Sequence, residues 1–336
     1  MEILTIGEHK IGLNSAVQID LPVAKLYTNT DISMPIFVIR GRSDGPAIFV
    51  SAAIHGDELN GIEIIRRLIT RKNFKLKQGT LIAVPMVNVY GVVSQSRYFP
   101  DRRDLNRSFP GSPSGSLAGR FASQFLTEIV SQCHYGIDLH TGALHRSNLP
   151  QIRGDLSNNE NLALAKIFGA PVAIDSTIRD GSLRQAAQEN GIHILVYEGG
   201  EALRFDELSI QLGLKGILNV LAHLEMIKPR KVKPKEPFIA DRSVWIRAPS
   251  SGIVHEVKKL GDHVRRDELL AEIGDPFGHI LDRVYASFSG VIIGKQNIPL
   301  VQEGDAMYHI AYFKQPGEVV EHIETIQDAL NPHSSE

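Results

Sequence analysis

The stretch PAIFVSAAIHGDELNGIEIIRRLIT, residues 46–70, contains the first strand-to-helix unit of this chain. Its first part, residues 46–54, is a nearly continuous apolar run, which is typical of a central strand buried on both faces. Its second part has the spacing of an amphipathic helix, with apolar positions at Leu59, Ile62, Ile65, Leu68 and Ile69. A buried strand therefore passes directly into a helix, and His55 and Glu58 lie at the junction.

The same alternation of buried strands and helices continues to residue 227. The further strands are predicted at residues 80–92, 134–142, 171–175 and 192–200, with helical patterns between them. Residues 1–45 alternate short apolar and polar runs, which indicates antiparallel strands with turns. Strands that alternate with helices predict an α/β domain with a mostly parallel or mixed sheet and flanking helices.

The composition of the sequence changes after residue 227. Residues 228–237, KPRKVKPKEP, carry five basic residues and three prolines. No aromatic residue interleaves with these charges, so a solvated linker is favoured over a nucleic-acid patch. We predict these domain boundaries: a first domain 1–227, a linker 228–238, a β domain 239–316 and a C-terminal tail 317–336.

The segment after the linker contains a weak two-fold repeat. Ser-Gly followed by two apolar residues occurs at 251–254 and again at 289–292. Such a repeat among short strands predicts an all-β domain, and it resembles the barrel-sandwich hybrid fold of biotinyl and lipoyl carrier domains. Those carriers present a lysine on the hairpin between the halves, whereas GDPFGHILDR, residues 274–283, has no lysine. We therefore predict no swinging cofactor arm.

The overall composition is that of a soluble globular protein. The 336 residues are 43% hydrophobic and 22% charged, and the formal net charge of −2 gives no reason to expect nucleic acid or an anionic membrane as a partner. The single cysteine, Cys133, allows no internal disulfide. Neither a signal sequence nor a membrane-spanning run is present, so we expect a cytoplasmic protein that makes no membrane contact.

Several polar side chains follow or end the predicted strands. Each has an ordinary structural explanation, such as a helix N-terminal acid for Glu58 or a turn cap for Asp138. Asp138 also has a functional interpretation, as a carboxylate that orients a metal ligand or a neighbouring arginine. Together, His55, His140 and Glu198 lie at the carboxyl ends of strands, where open α/β sheets bind ligands, and Glu58 lies just beyond one of these ends. Two histidines and one carboxylate form the His₂Glu set of catalytic zinc sites, and a further carboxylate supplies the general base.

A long polar loop, residues 93–116, supplies cations. It contains SRYFPDRRDLNRSFPG, residues 96–111, with four arginines and an asparagine. A forked guanidinium suits a carboxylate or a developing oxyanion, although four arginines also fit a solvated basic surface. Loops of this length in a compact domain are often functional.

In order along the chain, these motifs resemble the succinylglutamate desuccinylase/aspartoacylase family, a branch of the zinc carboxypeptidase superfamily. The motifs are HGDE at 55–58, the arginine-rich loop at 96–111, DLHTG at 138–142 and YEGG at 197–200. The resemblance covers roughly residues 35–225 and implies a zinc-carboxypeptidase-like sheet. A C-terminal β domain that shapes or covers the pocket mouth is also an attribute of that family.

The resemblance also implies roles for individual residues. It implies one zinc ion per chain, bound by His55, Glu58 and His140. It implies that Glu198 is the general acid/base. The substrate carboxylate would be held by Asn106 and Arg107.

The resemblance assigns polarisation of the scissile carbonyl to an arginine shortly before the D-x-N-R motif. Arg97 matches that arginine. The gap between Arg97 and D-x-N-R is longer here than in aspartoacylase, so Arg102 and Arg103 are alternatives. Arg103 is counted among the predicted substrate-binding residues.

These implications favour a zinc-dependent amidohydrolase that removes the acyl group from a small N-acyl amino acid, such as acetyl-diaminobutyrate. One alternative is a metallocarboxypeptidase that acts on short or modified peptides and needs an open groove. Another is a metal-binding scaffold protein without catalysis, but Glu198 argues against it, because a scaffold needs no unligated acid beside a metal. The sequence leaves the oligomeric state open, including a homo-oligomer.

Overall fold

The computed structural model describes residues 3–229 and 234–330. The strands are β1 Leu4–Ile6, β2 His9–Ile11, β3 Ser15–Lys25, β4 Asp31–Arg40, β5 Ala47–Ala52, β6 Thr80–Val84, β7 Tyr135–Gly142, β8 Arg146–Gly154, β9 Val172–Asp175, β10 His193–Glu201, β11 Phe238–Ala240, β12 Arg242–Arg247, β13 Gly252–Glu256, β14 His263–Val264, β15 Leu269–Gly274, β16 Ile280–Tyr285, β17 Gly290–Gln296, β18 Leu300–Val301 and β19 Ala306–Tyr312. The helices are α1 Asn60–Ile69, α2 Val89–Ser94, α3 Leu117–Glu128, α4 Asn159–Phe168, α5 Leu183–Glu189, α6 Glu207–His223 and α7 Pro316–Leu330, with 3₁₀ turns at Leu105–Arg107 and Val130–Gln132.

A large mixed sheet forms the centre of the molecule. Its strand order is β12-β19-β17-β8-β10-β7-β5-β6-β4-β3. The four central strands β10, β7, β5 and β6 are parallel, and antiparallel strands extend the sheet on both sides. The predicted α/β class, with a mixed sheet and flanking helices, is confirmed.

Two apolar cores cover the two faces of the central sheet. Successive residues of a strand point to opposite faces, so Phe49 and Val50 of β5 belong to different cores. Phe49 packs with α3 and α5, whereas Val50 packs with α1, α4 and α6. With both faces covered, the carboxyl ends of the parallel strands become the open edge where a ligand can bind.

Two elements differ from the sequence predictions. The strand predicted over residues 80–92 ends at Val84, and α2 begins soon after it because the Asn88 side chain accepts a hydrogen bond from the Gly91 amide at 2.8 Å. Strand β8 was not predicted, because its apolar residues Leu149 and Ile152 are separated by Pro150 and Gln151 and flanked by polar residues. It lies antiparallel to β10 and therefore beside the edge that carries Glu198.

The C-terminal part forms an antiparallel β domain, as expected. A sheet of order β16-β15-β13-β18 packs against β12, β17 and β19 around Leu270, Ile273, Ile292 and Ile310. Strand β17 also pairs with β8, so the β domain continues the central sheet.

The domain boundaries named above stay predictions, and residues 230–233 of the predicted linker lie outside the described residues. In the predicted tail, α7 buries Val319 and Ile323 in a small core with β17 and β19. Among the residues that the structure describes, no helix combines the length and apolar character that a membrane crossing needs.

Candidate active site

A cleft of about 820 Å³ opens at the carboxyl ends of the central parallel strands. His55 follows β5, Glu58 precedes α1, His140 lies in β7, and Glu198 lies in β10 directly opposite His140. All four side chains line this cleft. The open edge of the sheet therefore gathers residues that are far apart in the sequence.

Three side chains form a buried donor cluster. The Nδ1 atoms of His55 and His140 lie 2.8 and 2.7 Å from the two carboxylate oxygens of Glu58. One donor atom from each of the three residues can be chosen so that all lie within 4.8 Å of one another. The Thr141 amide donates to Glu58 at 3.1 Å and fixes the carboxylate from the strand side. Two imidazoles and a carboxylate in this arrangement fit a divalent metal ion, zinc in particular.

Each histidine has a second carboxylate behind it. Nε2 of His140 lies 2.7 Å from Asp138, whose other oxygen accepts a hydrogen bond from Ser51 at 2.7 Å. Nε2 of His55 lies 3.2 Å from Asp104. Such partners fix the tautomer and orientation of metal-binding histidines, so the Nδ1 atoms are the ones left to bind a metal. The sequence left Asp138 open between a turn cap and an orienting carboxylate, and it gave no role to Asp104.

The charges of the cluster are strongly coupled. Burial opposes protonation of His140, but Asp138 and Glu58 outweigh burial and raise the pKa of His140 well above its usual value. Burial likewise opposes the charged form of His55, and Glu58 and Asp104 raise its pKa as well. Burial alone would raise the pKa of Glu58, yet His55 and His140 hold that pKa well below its usual range. The carboxylate is therefore already ionised, which a metal ligand must be.

Arg97 is the loop arginine that enters the site. Its guanidinium donates to Asp104 through Nε at 3.2 Å and through Nη2 at 3.0 Å. Nη1 lies 3.2 Å from Nδ1 of His55 and 3.4 Å from Glu58. Asp104 thus orients both His55 and Arg97, so the D-x-N-R motif links the loop to the donor cluster.

The other predicted loop residues divide into two groups. Asn106 and Arg107 line the cleft, and the Asn106 side-chain oxygen accepts a hydrogen bond from the Leu183 amide at 2.9 Å. Arg103 does not line the cleft, because its side chain is 62% exposed and lies near Asp101, at 3.7 Å. The substrate contact predicted for Arg103 therefore stays a prediction, and the structure places the side chain outside the cleft lining.

Glu198 is held by β8. The Asn148 amide donates to its Oε2 at 2.6 Å, and Nε of Arg153 lies 3.3 Å from the same oxygen. Both partners were missed from the sequence, because β8 itself was missed. Among the described residues, the Glu198 carboxylate forms no hydrogen bond or ion pair with the donor cluster, and it lines the same cleft.

Further cleft residues were also missed. Arg184 and Arg179 line the wall beyond Arg107, and Trp245 and His309 come from the β domain. The His309 ring stacks on Trp245 at 4.7 Å, and burial beside Arg153 lowers the pKa of His309 to about 3. His309 is therefore neutral at physiological pH. No local motif marks these residues, since the fold alone brings them to the cleft.

Cys133 lies outside the described cleft lining. It is buried, and burial raises the pKa of its thiol far above the usual value. A buried thiol of this kind is a poor nucleophile.

Comparisons with known proteins match this architecture. Residues 44–224 match the model of the succinylglutamate desuccinylase/aspartoacylase catalytic domain. The chain is 30% identical over 257 residues to the N-alpha-acetyl-L-2,4-diaminobutyric acid deacetylase of Halomonas elongata, which covers 73% of this chain and 75% of that relative. This chain therefore belongs to the succinylglutamate desuccinylase/aspartoacylase family, and the predicted family membership is confirmed.

Solved structures share the whole fold. The product-bound ectoine utilization protein EutE (DoeB) of Ruegeria pomeroyi is 24% identical, with a TM-score of 0.80 over 90% of this chain and 97% of that chain. A succinylglutamate desuccinylase/aspartoacylase from Rhodobacter sphaeroides is also 24% identical, with a TM-score of 0.78 over 89% and 95% of the two chains. The likeness extends over the β domain as well as the catalytic domain.

Proposed function

We propose that this protein is a zinc-dependent hydrolase that cleaves the amide bond of a small N-acyl amino acid and releases a carboxylate and a free amine. The observation that carries the proposal is the buried cluster of His55, Glu58 and His140 beside the Glu198 carboxylate, at the sheet edge where ligands bind. The deacetylase relative and the family match support the same reaction class.

The donor set fits one zinc ion per chain. His55, Glu58 and His140 are the three protein ligands that we propose, and a His₂Glu set leaves a coordination position open. Zinc bound there would lower the pKa of a water molecule and polarise the scissile carbonyl. Asp138 and Asp104 hold the two imidazoles in place, so little reorganisation is needed when the ion enters.

The remaining steps fall to residues of the chain. Glu198 takes a proton from the attacking water and returns it to the leaving amine nitrogen, as a general acid/base does. Arg97, held by Asp104, donates to the oxyanion that develops on the scissile carbonyl. Asn106 and Arg107 bind the substrate carboxylate, because both line the cleft on the side of the loop. Arg103 is left out of this assignment.

The substrate is proposed to be small. A cleft of about 820 Å³ lies within the usual size range for small-molecule sites, and Arg242, Trp245 and His309 of the β domain form part of its wall. Such a wall favours a short N-acyl amino acid over an extended peptide. The relative from Halomonas elongata makes N-acetyl-2,4-diaminobutyrate the first compound to try.

The test is release of free amine from a panel of N-acetyl and N-succinyl amino acids, with short peptides included. Zinc-loaded protein should release amine from at least one N-acyl amino acid, and protein stripped with a chelator should not. Release from peptides alone would replace the proposal with the carboxypeptidase alternative. No release from any compound by zinc-loaded protein would contradict hydrolysis and favour the scaffold alternative.

A further inference from the structure

Asn148 is the one described side chain that donates a short hydrogen bond to Glu198. Its Nδ2 atom lies 2.6 Å from Oε2 of Glu198, and Asn148 is only 7% exposed. Arg153 approaches the same oxygen, but its Nε atom is 3.3 Å away and makes no well-aligned hydrogen bond. A carboxylate has two oxygens and free rotation about its last bonds, so a single short donor largely decides where the other oxygen points.

The β domain reaches this hydrogen bond through β17. Gly294 lies directly opposite Asn148 in the pairing of β17 with β8. A Cβ atom at position 294 would lie 2.8 Å from Oδ1 of Asn148 and 3.2 Å from the Cβ atom of His309. The Asn148 amide therefore occupies the space that only a glycine at 294 leaves free.

A second side-chain contact joins β17 to β8. The Asn297 side chain donates to Oγ of Ser147 at 2.6 Å and to Glu201 at 2.8 Å. Asn297 thus connects the end of β17 to the start of β8 and to the end of β10. This second contact holds the strands together without touching Glu198.

We propose that Asn148 is a positioning residue for Glu198, and that Gly294 of the β domain keeps the Asn148 amide in place. The inference rests on the proposed function, because it takes Glu198 as the general acid/base. The Asn148 donor holds Oε2 of Glu198, so Oε1 is the oxygen left to exchange the proton with water and with the leaving amine. The β domain then contributes to proton transfer as well as to the wall of the cleft.

The first test compares Asn148→Ala and Asn148→Leu with Asn297→Ala. Leucine keeps the branching of asparagine but is larger and carries no donor, so it fills the site without the hydrogen bond. Both Asn148 variants should lose roughly 10- to 100-fold in kcat, with little change in KM or bound zinc. Asn297→Ala is the matched control, because it removes a contact between the same two strands, and it should keep the wild-type kcat. Wild-type kcat in Asn148→Leu would overturn the proposal.

The second test uses Gly294→Ala, alone and combined with Asn148→Ala. The added methyl group should displace the Asn148 amide and lower kcat, whereas it should cause no further loss once Asn148 is alanine. Gly317→Ala is the control, since a Cβ atom there meets no neighbour within 4 Å. Independent, additive losses would show that Gly294 does not act through Asn148.

A crystal structure of Asn148→Ala gives a readout that does not depend on turnover. The Glu198 carboxylate should move or occupy more than one orientation, while His55 and His140 stay in place. An unchanged Glu198 would overturn the proposal even if activity fell. If zinc-loaded wild-type protein hydrolyses nothing, the proposed function fails, and this structural comparison still decides whether Asn148 positions Glu198.

Discussion

Glu58 binds both histidines of the donor cluster, and its Oε2 atom lies 2.7 Å from Nδ1 of His140, which is 82 residues away in the chain. His140 and Glu58 are both almost fully buried, so neither reaches solvent to satisfy its charge. A buried carboxylate between two imidazoles costs free energy unless protons or a metal ion compensate it.

Replacing His140 should abolish metal binding. His140→Ala removes one of three ligands, and a zinc ion held by the remaining two binds far more weakly. Metal analysis by mass spectrometry should give zinc in the wild-type protein and almost none in the variant after the same purification. Full zinc occupancy in His140→Ala would remove His140 from the ligand set.

Replacing Glu198 should separate chemistry from metal binding. Glu198→Gln keeps the size of the side chain and removes its proton-transfer function, so kcat should fall roughly 10²- to 10⁴-fold. Zinc content should match that of the wild-type protein, since Glu198 is not among the proposed ligands. Near-normal turnover in this variant would end the assignment of Glu198 as the acid/base.

Arg97 and Arg103 should behave differently. Arg97 lies 3.0 Å from Asp104 and within 3.4 Å of Glu58, whereas Arg103 is exposed. Arg97→Ala should lower kcat roughly 10²- to 10³-fold, as loss of an oxyanion donor does, and Arg103→Ala should have a small effect. Steady-state kinetics of the two variants tests the assignment. A larger loss of kcat in Arg103→Ala than in Arg97→Ala would assign polarisation of the scissile carbonyl to Arg103.

Zinc binding should release protons. The pKa values of His55 and His140 are raised in the metal-free site, so both hold protons that a metal must displace. Apparent zinc affinity should therefore rise with pH above about 6.5, the usual histidine value. Titration calorimetry in two buffers of different ionisation enthalpy measures the protons released. Equal heats in both buffers would contradict the raised pKa values.

The same shift predicts the stability of the metal-free protein. A histidine whose folded pKa is raised stabilises the fold fully below its unfolded pKa and loses that contribution as pH rises through the folded pKa. The melting temperature of metal-free protein should therefore fall from about pH 6.5 upward, and zinc should reverse the fall. Melting curves at several pH values, with and without zinc, provide the check. A metal-free melting temperature that rises over this range would contradict the prediction.

The sequence was sufficient to predict that the two histidines and two carboxylates of the site converge, because each lies at or just after a strand end that is visible locally. HGDE ends the apolar run of β5, and His140 ends the predicted strand of β7. The carboxyl ends of parallel strands meet at one edge, so their convergence follows from the fold class alone. The mixed sheet was predictable from the same strand patterns, whereas family membership and the choice of Glu58 as the metal-binding carboxylate came from the order of the four motifs.

The partners of the cluster were not predictable in this way. Asn148 and Arg153 lie on β8, where buried polar residues interrupt the apolar pattern because they face the cleft. Asp104 reaches His55 only through the path of the loop, and His309 reaches the cleft only through the pairing of β17 with β8. These positions depend on tertiary contacts, which hydrophobic periodicity does not encode.

In the proposed function, zinc bound by His55, Glu58 and His140 is the hydrolytic metal. The most direct test adds zinc stepwise to metal-free protein and measures amine release from an N-acyl amino acid at each step. Activity should rise in proportion to bound zinc and stop rising at about one ion per chain. Full activity without metal, or bound zinc at this stoichiometry with no amine released from any compound of the panel, would contradict the claim.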